Sequence, residues 1–411
     1  MMRCLLFLCV LGAASDTQAQ IRLPTLPGLP LPGATQSLAQ PTILNPGGDL
    51  RLKRVRQLIH ENRKLIEADP NGEPIVRGEI LVSAASDTAI AQLRSRGFVL
   101  EREQVIASTD IRLLVFKTPP GMVTRKALQE LRNADPNGLY DYNHIYLESG
   151  SGAPPEGEGA PNADARASGP TPRAGIHVGL IDSGVDATHP AFSESLVHRW
   201  GCGGTLHPDA HGTAVASILA AHARAAIYAA DVYCGTPTGG SIDALAAAFD
   251  WLAGERIAVI NVSLVGPKNA LLERIVGSLI ERGYLIVAAV GNDGPAAPPL
   301  YPAAYPNVVG VTGVDAHRRV LLEAERGPQV MFAALGADLE AADLKHHYVA
   351  VRGTSYAAPT VAALLAPSLS LPDRQAALAA IEQLAQSAVH LGVSPGRDLT
   401  YGFGLVGGTN R

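Results

Sequence analysis

The sequence predicts an α/β domain built on a mostly parallel sheet with helices on both faces, preceded by a small α+β unit. Three observations carry that expectation. Residues 175–411 alternate short apolar runs (IHVGLID, AAIYAADVY, IAVINVSL, YLIVAAVGN, NVVGVTGV) with helical stretches, the pattern of a parallel sheet covered on both sides. Residues 78–148 carry shorter apolar runs and two helical stretches in the order β-α-β-β-α-β. Between the two, residues 149–174 hold Gly, Pro, Ala, Ser and acids with no large apolar side chain, the composition of a flexible linker.

The chain starts with a basic Met1–Arg3, an apolar run over Cys4–Gly12 and the small-residue triplet Thr17-Gln18-Ala19. This is the pattern of a signal peptide over 1–19, cleaved after Ala19, and it predicts export to the periplasm or the medium. No later stretch reaches the roughly 18 apolar residues of a span, so no membrane partner is expected. The 411 residues carry 33 basic and 38 acidic side chains, a net charge of −5, which argues against a nucleic-acid partner bound through a basic surface. Removing the leader leaves two of the four cysteines, Cys202 and Cys234. In an exported protein they are a candidate disulfide; two separate buried thiols are the alternative.

Residues 20–48 are proline-rich and read as an extended linker. Residues 49–148 form the next segment. Leu50–Ala68 shows Leu52, Val55, Leu58, Ile59, Leu65 and Ile66 at helical spacing, with a basic face read as solvated. Strands are expected at 79–83, 98–105, 111–117 and 139–147. Helices are expected at 87–96, capped by Asp87, and at 124–133, capped by Thr124.

Four polar residues fall at strand ends and helix starts in residues 175–411. Asp182 closes IHVGLID, His211 opens HGTAVAS, Asn292 follows LIVAAVG and Ser355 opens TSYAAP, with gaps of 29, 81 and 63 residues. Such sheets put their sites at the carboxyl ends of the strands. A serine hydroxyl needs a histidine to take its proton, and the imidazole needs a carboxylate to hold its tautomer. The oxyanion then formed needs donors, which the Asn292 amide and the Ser355 N–H can supply. Pro359 falls early in its helix, where it forfeits little hydrogen bonding.

The segments DSGVDATHP, HGTAVAS, AAVGNDG and GTSYAAP resemble the four signature blocks of the subtilisin-like serine peptidases (subtilases, peptidase family S8), in that family's order. The resemblance covers residues 175–411. It implies Asp182, His211 and Ser355 as catalytic triad, and Asn292 with Ser355 as oxyanion hole. It also implies substrate rails at Ser263, Leu264, Val265 and Gly266 and at Gly239 and Gly240, with Ala289 and Gly291 beside them. Val265 departs from the family pattern, in which Gly follows Ser-Leu directly. The small residues around Ala288 and Ala289 suggest a pocket for a sizeable apolar side chain.

The resemblance further implies that residues 78–148 are a prodomain that assists folding and inserts its C-terminal tail into the cleft, with self-cleavage between about Tyr146 and Arg173. The expected partners are protein or peptide substrates and this prodomain. The chemistry requires no cofactor or metal, and no acidic loop run specifies a calcium site, which leaves structural calcium open. The expected function is an exported serine endopeptidase. A silent relative that binds partners through the same cleft is the alternative, and a hydrolase of esters or lipids is disfavoured by the absence of G-x-S-x-G.

Overall fold

In the computed structural model the described residues are 46–149, 175–223, 225–392 and 396–408. The leader at 1–19, most of the proline-rich stretch and residues 150–174 lie outside them. The described residues all fall in one compact unit that begins at Asn45.

The first part runs α1 (Pro46–Glu61), β1 (Ile66–Ala68), β2 (Pro74–Ser83), α2 (Asp87–Ser95), β3 (Val99–Ile106), β4 (Ile111–Lys117), α3 (Thr124–Ala134), β5 (Leu139–His144) and β6 (Leu147–Glu148). β1 to β5 form one antiparallel sheet with β2 between β4 and β5. Its two faces separate by the period of two that strands impose. Ile80, Val82, Leu114 and Phe116 pack with Leu93 of α2 and Leu128 of α3. Leu81, Leu113 and Val115 face the other way, into the core of the second part.

That second part continues with β7 (His177–Asp182), β8 (Val197–Trp200), α4 (Ala210–Ala223), β9 (Ala226–Asp231), α5 (Ile242–Gly254), β10 (Val259–Val262), β11 (Leu264–Val265), α6 (Ala270–Glu281), β12 (Leu285–Ala289), β13 (Val309–Val314), β14 (Val330–Leu335), β15 (Leu339–Ala342), β16 (Tyr348–Val351), α7 (Thr354–Leu365) and α8 (Arg374–Ser387). Seven of these strands make a parallel sheet in the order β14-β13-β12-β10-β7-β9-β8. Val287 and Ala289 of β12 pack towards α4 and α7, while Ile286 and Ala288 pack towards α5 and α6. Both faces are therefore buried, which is why these strands read as continuous apolar runs. Cys202 and Cys234 are joined by a disulfide. Among the described residues, no helix is long and apolar enough to cross a membrane.

Several local expectations are corrected. Helix α2 is capped by Ser86, whose Oγ accepts from Ala89 N at 3.1 Å, and Asp87 sits in the first turn. Thr124 caps nothing: the cap position is Val123, and the Thr124 hydroxyl accepts from Gly78 N at 3.0 Å. The expected strand 139–147 is two strands, because the chain changes partner after His144, from β2 to the second part. Helix α1 stops at Glu61 and Ile66 joins the sheet. Its basic face is not wholly solvated, since Arg51 is buried against Glu73 at 2.5 and 3.0 Å.

Candidate active site

Asp182 ends β7, at the carboxyl edge of the parallel sheet, and is fully buried. Its Oδ1 accepts from Ser183 N at 2.7 Å and contacts His211 Nδ1 at 2.8 Å. His211 is the second residue of α4, whose first turn is held by Asp209 Oδ1 on His211 N at 2.9 Å. Gly212 follows because a Cβ there would lie 2.2 Å from Ser183 O. The carboxylate thus fixes the ring through Nδ1 and leaves Nε2 buried with no hydrogen-bond partner. Burial alone would lower the proton affinity of this ring. The carboxylates of Asp182, Glu148 and Asp209 outweigh burial and raise its pKa to about 9.

Ser355 is the second residue of α7 and is buried. Pro359 lies inside that helix and has no N–H to give to Ser355 O. The Ser263 hydroxyl donates to Ser355 O instead, at 2.9 Å, tying the serine's main chain to the neighbouring rail. Asn292 follows β12. Its Oδ1 accepts from Thr354 N at 3.1 Å, which aims Nδ2 into the cleft.

The cleft is filled by residues 145–149 of the chain itself. Leu147 and Glu148 pair antiparallel with Val265 and Leu264. Ser149 N donates to Ser263 O at 3.2 Å. On the other side Tyr146 N donates to Gly240 O at 2.8 Å, and Ile145 bridges Ser241. The segment is thus a strand added between two edges. At its end the Ser149 carbonyl oxygen accepts from Asn292 Nδ2 at 2.7 Å and is in hydrogen-bond contact with Ser355 Oγ. Ser355 Oγ also lies 2.7 Å from Ser149 Oγ. No hydrogen bond joins Ser355 to His211 here; the serine hydroxyl is engaged by Ser149 instead.

The residues expected to bind substrate divide into two groups. Ser263, Leu264, Val265 and Gly240 bond to the inserted strand, and a Cβ on Gly266 would meet the Tyr146 ring at 2.4 Å. Val265 therefore extends the rail, and Gly266 opens the space that Tyr146 fills. Gly239 instead turns its Cβ position onto the Tyr233 main chain, and Ala289 lies in the core beneath α7. Sequence reasoning missed Tyr233, whose hydroxyl donates to Tyr146 O at 2.8 Å, and the carboxylate of Glu148 beside His211. No motif marks either of them. The signal available was position, since Tyr146–Ser149 directly follow the last strand of the small sheet.

The parallel sheet, the strand-end Asp–His pair and the helix-borne serine define an α/β serine hydrolase. The profile of the Peptidase S8 family, the subtilases, matches residues 173–404, and the chain belongs to that family of serine-type endopeptidases. It is 31% identical over 244 residues to the minor extracellular protease Epr of Bacillus subtilis, a match that covers 56% of this chain and 37% of that protein. It is 28% identical over 304 residues to subtilisin E of the same species, covering 68% of this chain and 77% of that one. Among solved structures, fervidolysin from Fervidobacterium pennivorans, a keratinolytic enzyme related to subtilisin, superposes with a TM-score of 0.62. That match has 17% identity and covers 83% of this chain and 61% of the other, so the likeness is one of fold.

Proposed function

We propose that the chain is the precursor of an exported serine endopeptidase that cuts its own Ser149–Gly150 bond and is then held by its N-terminal unit. In this reading residues 1–19 direct export, residues 46–149 act as prodomain, and the domain from 175 onward carries the chemistry. The observation that supports it is the Ser149 carbonyl, 2.7 Å from Asn292 Nδ2 and in contact with Ser355 Oγ, at the end of a paired strand.

This reading runs through the following steps. Ser355 Oγ attacks the Ser149 carbonyl carbon while His211 Nε2 takes its proton, and Asp182 holds the ring and balances its positive charge. The oxyanion rests on Asn292 Nδ2 and on the Ser355 N–H at the start of α7. The Gly150 amine leaves with the proton from His211, and an ester joins Ser149 to Ser355. Water, deprotonated by His211, then hydrolyses that ester. No metal or organic cofactor is required by these steps. The same cycle on an external peptide needs the residue 145–149 strand to leave the rails.

The test is intact mass and N-terminal sequencing of wild type and Ser355→Ala expressed side by side. The expected wild-type product begins at Gly150, and Ser355→Ala stays whole. A mature start before Ile145, or cleavage of the variant at the same bond, would overturn the reading. If both proteins stay whole and Ser355 takes no fluorophosphonate label, the silent-relative alternative holds.

A further inference from the structure

The wall beside Ser149 carries two carboxyl groups that peptide hydrolysis does not use. Gly291, just before Asn292, has φ +116°, and a Cβ there would lie 2.5 Å from Glu325 Oε1 and 3.0 Å from Leu300 Cδ1. The Glu325 carboxyl therefore presses on the main chain next to the Ser149 subsite. The two positions share the Thr354 hydroxyl, which lies 3.3 Å from both Gly291 N and Ser149 Oγ. Glu325 is 0% exposed; its Oε2 accepts from Leu300 N at 3.2 Å, while Oε1 has no partner. Asp293, on the other side of Asn292, is 9% exposed, and Arg51 Nε stands 3.5 Å from its Oδ2.

Arg51 comes from α1, far outside the peptidase domain in sequence. Leu58 and Ile59, on the same helix, pack on the cluster of Ile66, Val76 and Ile145, which Leu147 also joins. Helix α1 thus reaches the start of the inserted strand at Ile145, and its Arg51 places a guanidinium beside Asp293, the residue after Asn292. Burying a carboxyl without a cation or donor is costly. Burial raises Glu325 to a pKa of about 9 and Asp293 to about 6, and in both Arg51 opposes the rise. The Ser149 hydroxyl is taken up by Ser355 and Thr354 and carries no charge, and the cation beside Asp293 comes from Arg51 instead. Ala288 and Ala289, the basis for expecting an apolar pocket, belong to the core layers on opposite faces of the sheet.

We propose that Asp293 and Glu325 form an acidic subsite that selects substrates with Arg or Lys at P1, the residue whose carbonyl is attacked, and that Arg51 stands in for that side chain in the precursor. The proposal rests on the endopeptidase reading above and names its substrate class. Loss of the N-terminal unit removes Arg51 from Asp293 and leaves the subsite for a basic P1 chain entering beside Gly291.

The test uses the matured wild-type enzyme, its active sites titrated with a fluorophosphonate, on peptide amides that differ only at P1 (Arg, Lys, Leu or Phe). A buried charge partner gives an expected kcat/KM for Arg or Lys about 30-fold or more above Leu or Phe. Asp293→Asn and Glu325→Gln should each lower the Arg-to-Leu ratio about tenfold or more. The ratio is internal to each enzyme, so a variant that folds poorly does not distort it. Benzamidine, a guanidinium-like cation, should inhibit competitively, and neutral benzamide should not. An enzyme that matures, takes the label and prefers Leu or Phe overturns this inference and leaves the endopeptidase reading standing. An Arg preference unchanged in both variants overturns it as well. Failure to mature or to take the label removes the endopeptidase reading and this inference with it.

Discussion

Asp182, His211, Asn292 and Ser355 each sit where a strand ends or a helix begins, whereas Ile145–Ser149 lie in extended chain that carries no catalytic motif. The first group is bound by chemistry. Under the proposed mechanism each member has one atom that must be of one type at one place, and its neighbours fit closely around it: Gly212 against the Ser183 carbonyl, Pro359 above the freed Ser355 carbonyl. The second group is bound mainly by its backbone, through Tyr146 N, Ser149 N and the pairs with β11. Backbone pairing accepts almost any sequence. The difference teaches that the cleft should fail abruptly when its own side is altered. The inserted strand should fail only at the side chains that fill a pocket or touch the imidazole.

Tyr146 is the sharpest test of that contrast. It is fully buried, its ring covers Gly266, and its hydroxyl donates to Pro267 O at 2.6 Å. Truncating a buried aromatic costs about 3–5 kcal/mol. Tyr146→Ala should therefore shorten the residence of the cleaved N-terminal unit by about 150- to 5,000-fold, read as the delay before a small peptide is hydrolysed. Gly266→Ala should act in the same direction by colliding with the ring, and the double variant should be less than additive. An unchanged delay in both would mean that backbone pairing alone holds the unit.

On the catalytic side, Asn292→Ala removes one donor to a developing negative charge. A hydrogen bond to a charged group is worth about 1.5–3 kcal/mol, so self-cleavage should slow about 10- to 150-fold. Time-resolved intact mass measures this. A rate within a factor of two of wild type would mean that the Ser149 oxygen is stabilised elsewhere.

Glu148 links the two sides, since its carboxylate helps to raise His211 to a pKa of about 9. The sign is set by the charged form: a raised value keeps the imidazole protonated at neutral pH, where it cannot accept the Ser355 proton. Self-cleavage should therefore climb with pH up to about 9. Glu148→Gln removes one of the raising carboxylates and should move that midpoint to lower pH. Well below the midpoint, each pH unit by which it falls raises the rate at pH 7 about tenfold. The matured enzyme, free of Glu148, should also show a lower midpoint than the precursor. Identical profiles for all three would remove Glu148 from the account.

The same contrast explains what could be read in advance. The parallel sheet was legible because strands such as Leu285–Ala289 are buried on both faces and stay apolar throughout. The placing of Asp182, His211, Asn292 and Ser355 at strand ends and helix starts was legible because each directly follows or opens a strongly patterned apolar or helical run. The end of the strand at His144 was not legible, because the partner that takes over lies more than a hundred residues later in the chain. The burial of Arg51 was hidden for the same reason: Leu52, Lys53 and Arg54 after it are exposed, and its partners Glu73 and Asp293 come from elsewhere. Thr124 misled because cap preference is local, and here its hydroxyl serves the adjacent strand.

The smallest expected effects lie where the N-terminal unit meets α5 and α6 through charged groups. Arg102 reaches Asp243 at 2.9 Å and Glu79 at 2.6 Å, and Glu79 has a side chain only 6% exposed. Arg282 reaches Asp110 at 3.0 Å, with side chains 47% and 85% exposed. Solvent screens the second pair and leaves both charges hydrated when either is removed. Arg282→Ala should therefore change the stability of the uncleaved Ser355→Ala precursor by about 0.5 kcal/mol or less. Arg102→Ala should cost more, about 1–3 kcal/mol, because it strips the buried Glu79 of its cation and leaves only Asn143 Nδ2 and the more distant Lys117 beside it. Denaturant titration of both variants decides the point. Equal losses would mean that the two contacts share one solvent environment, and that the docking face is wetter than the burial of Glu79 implies.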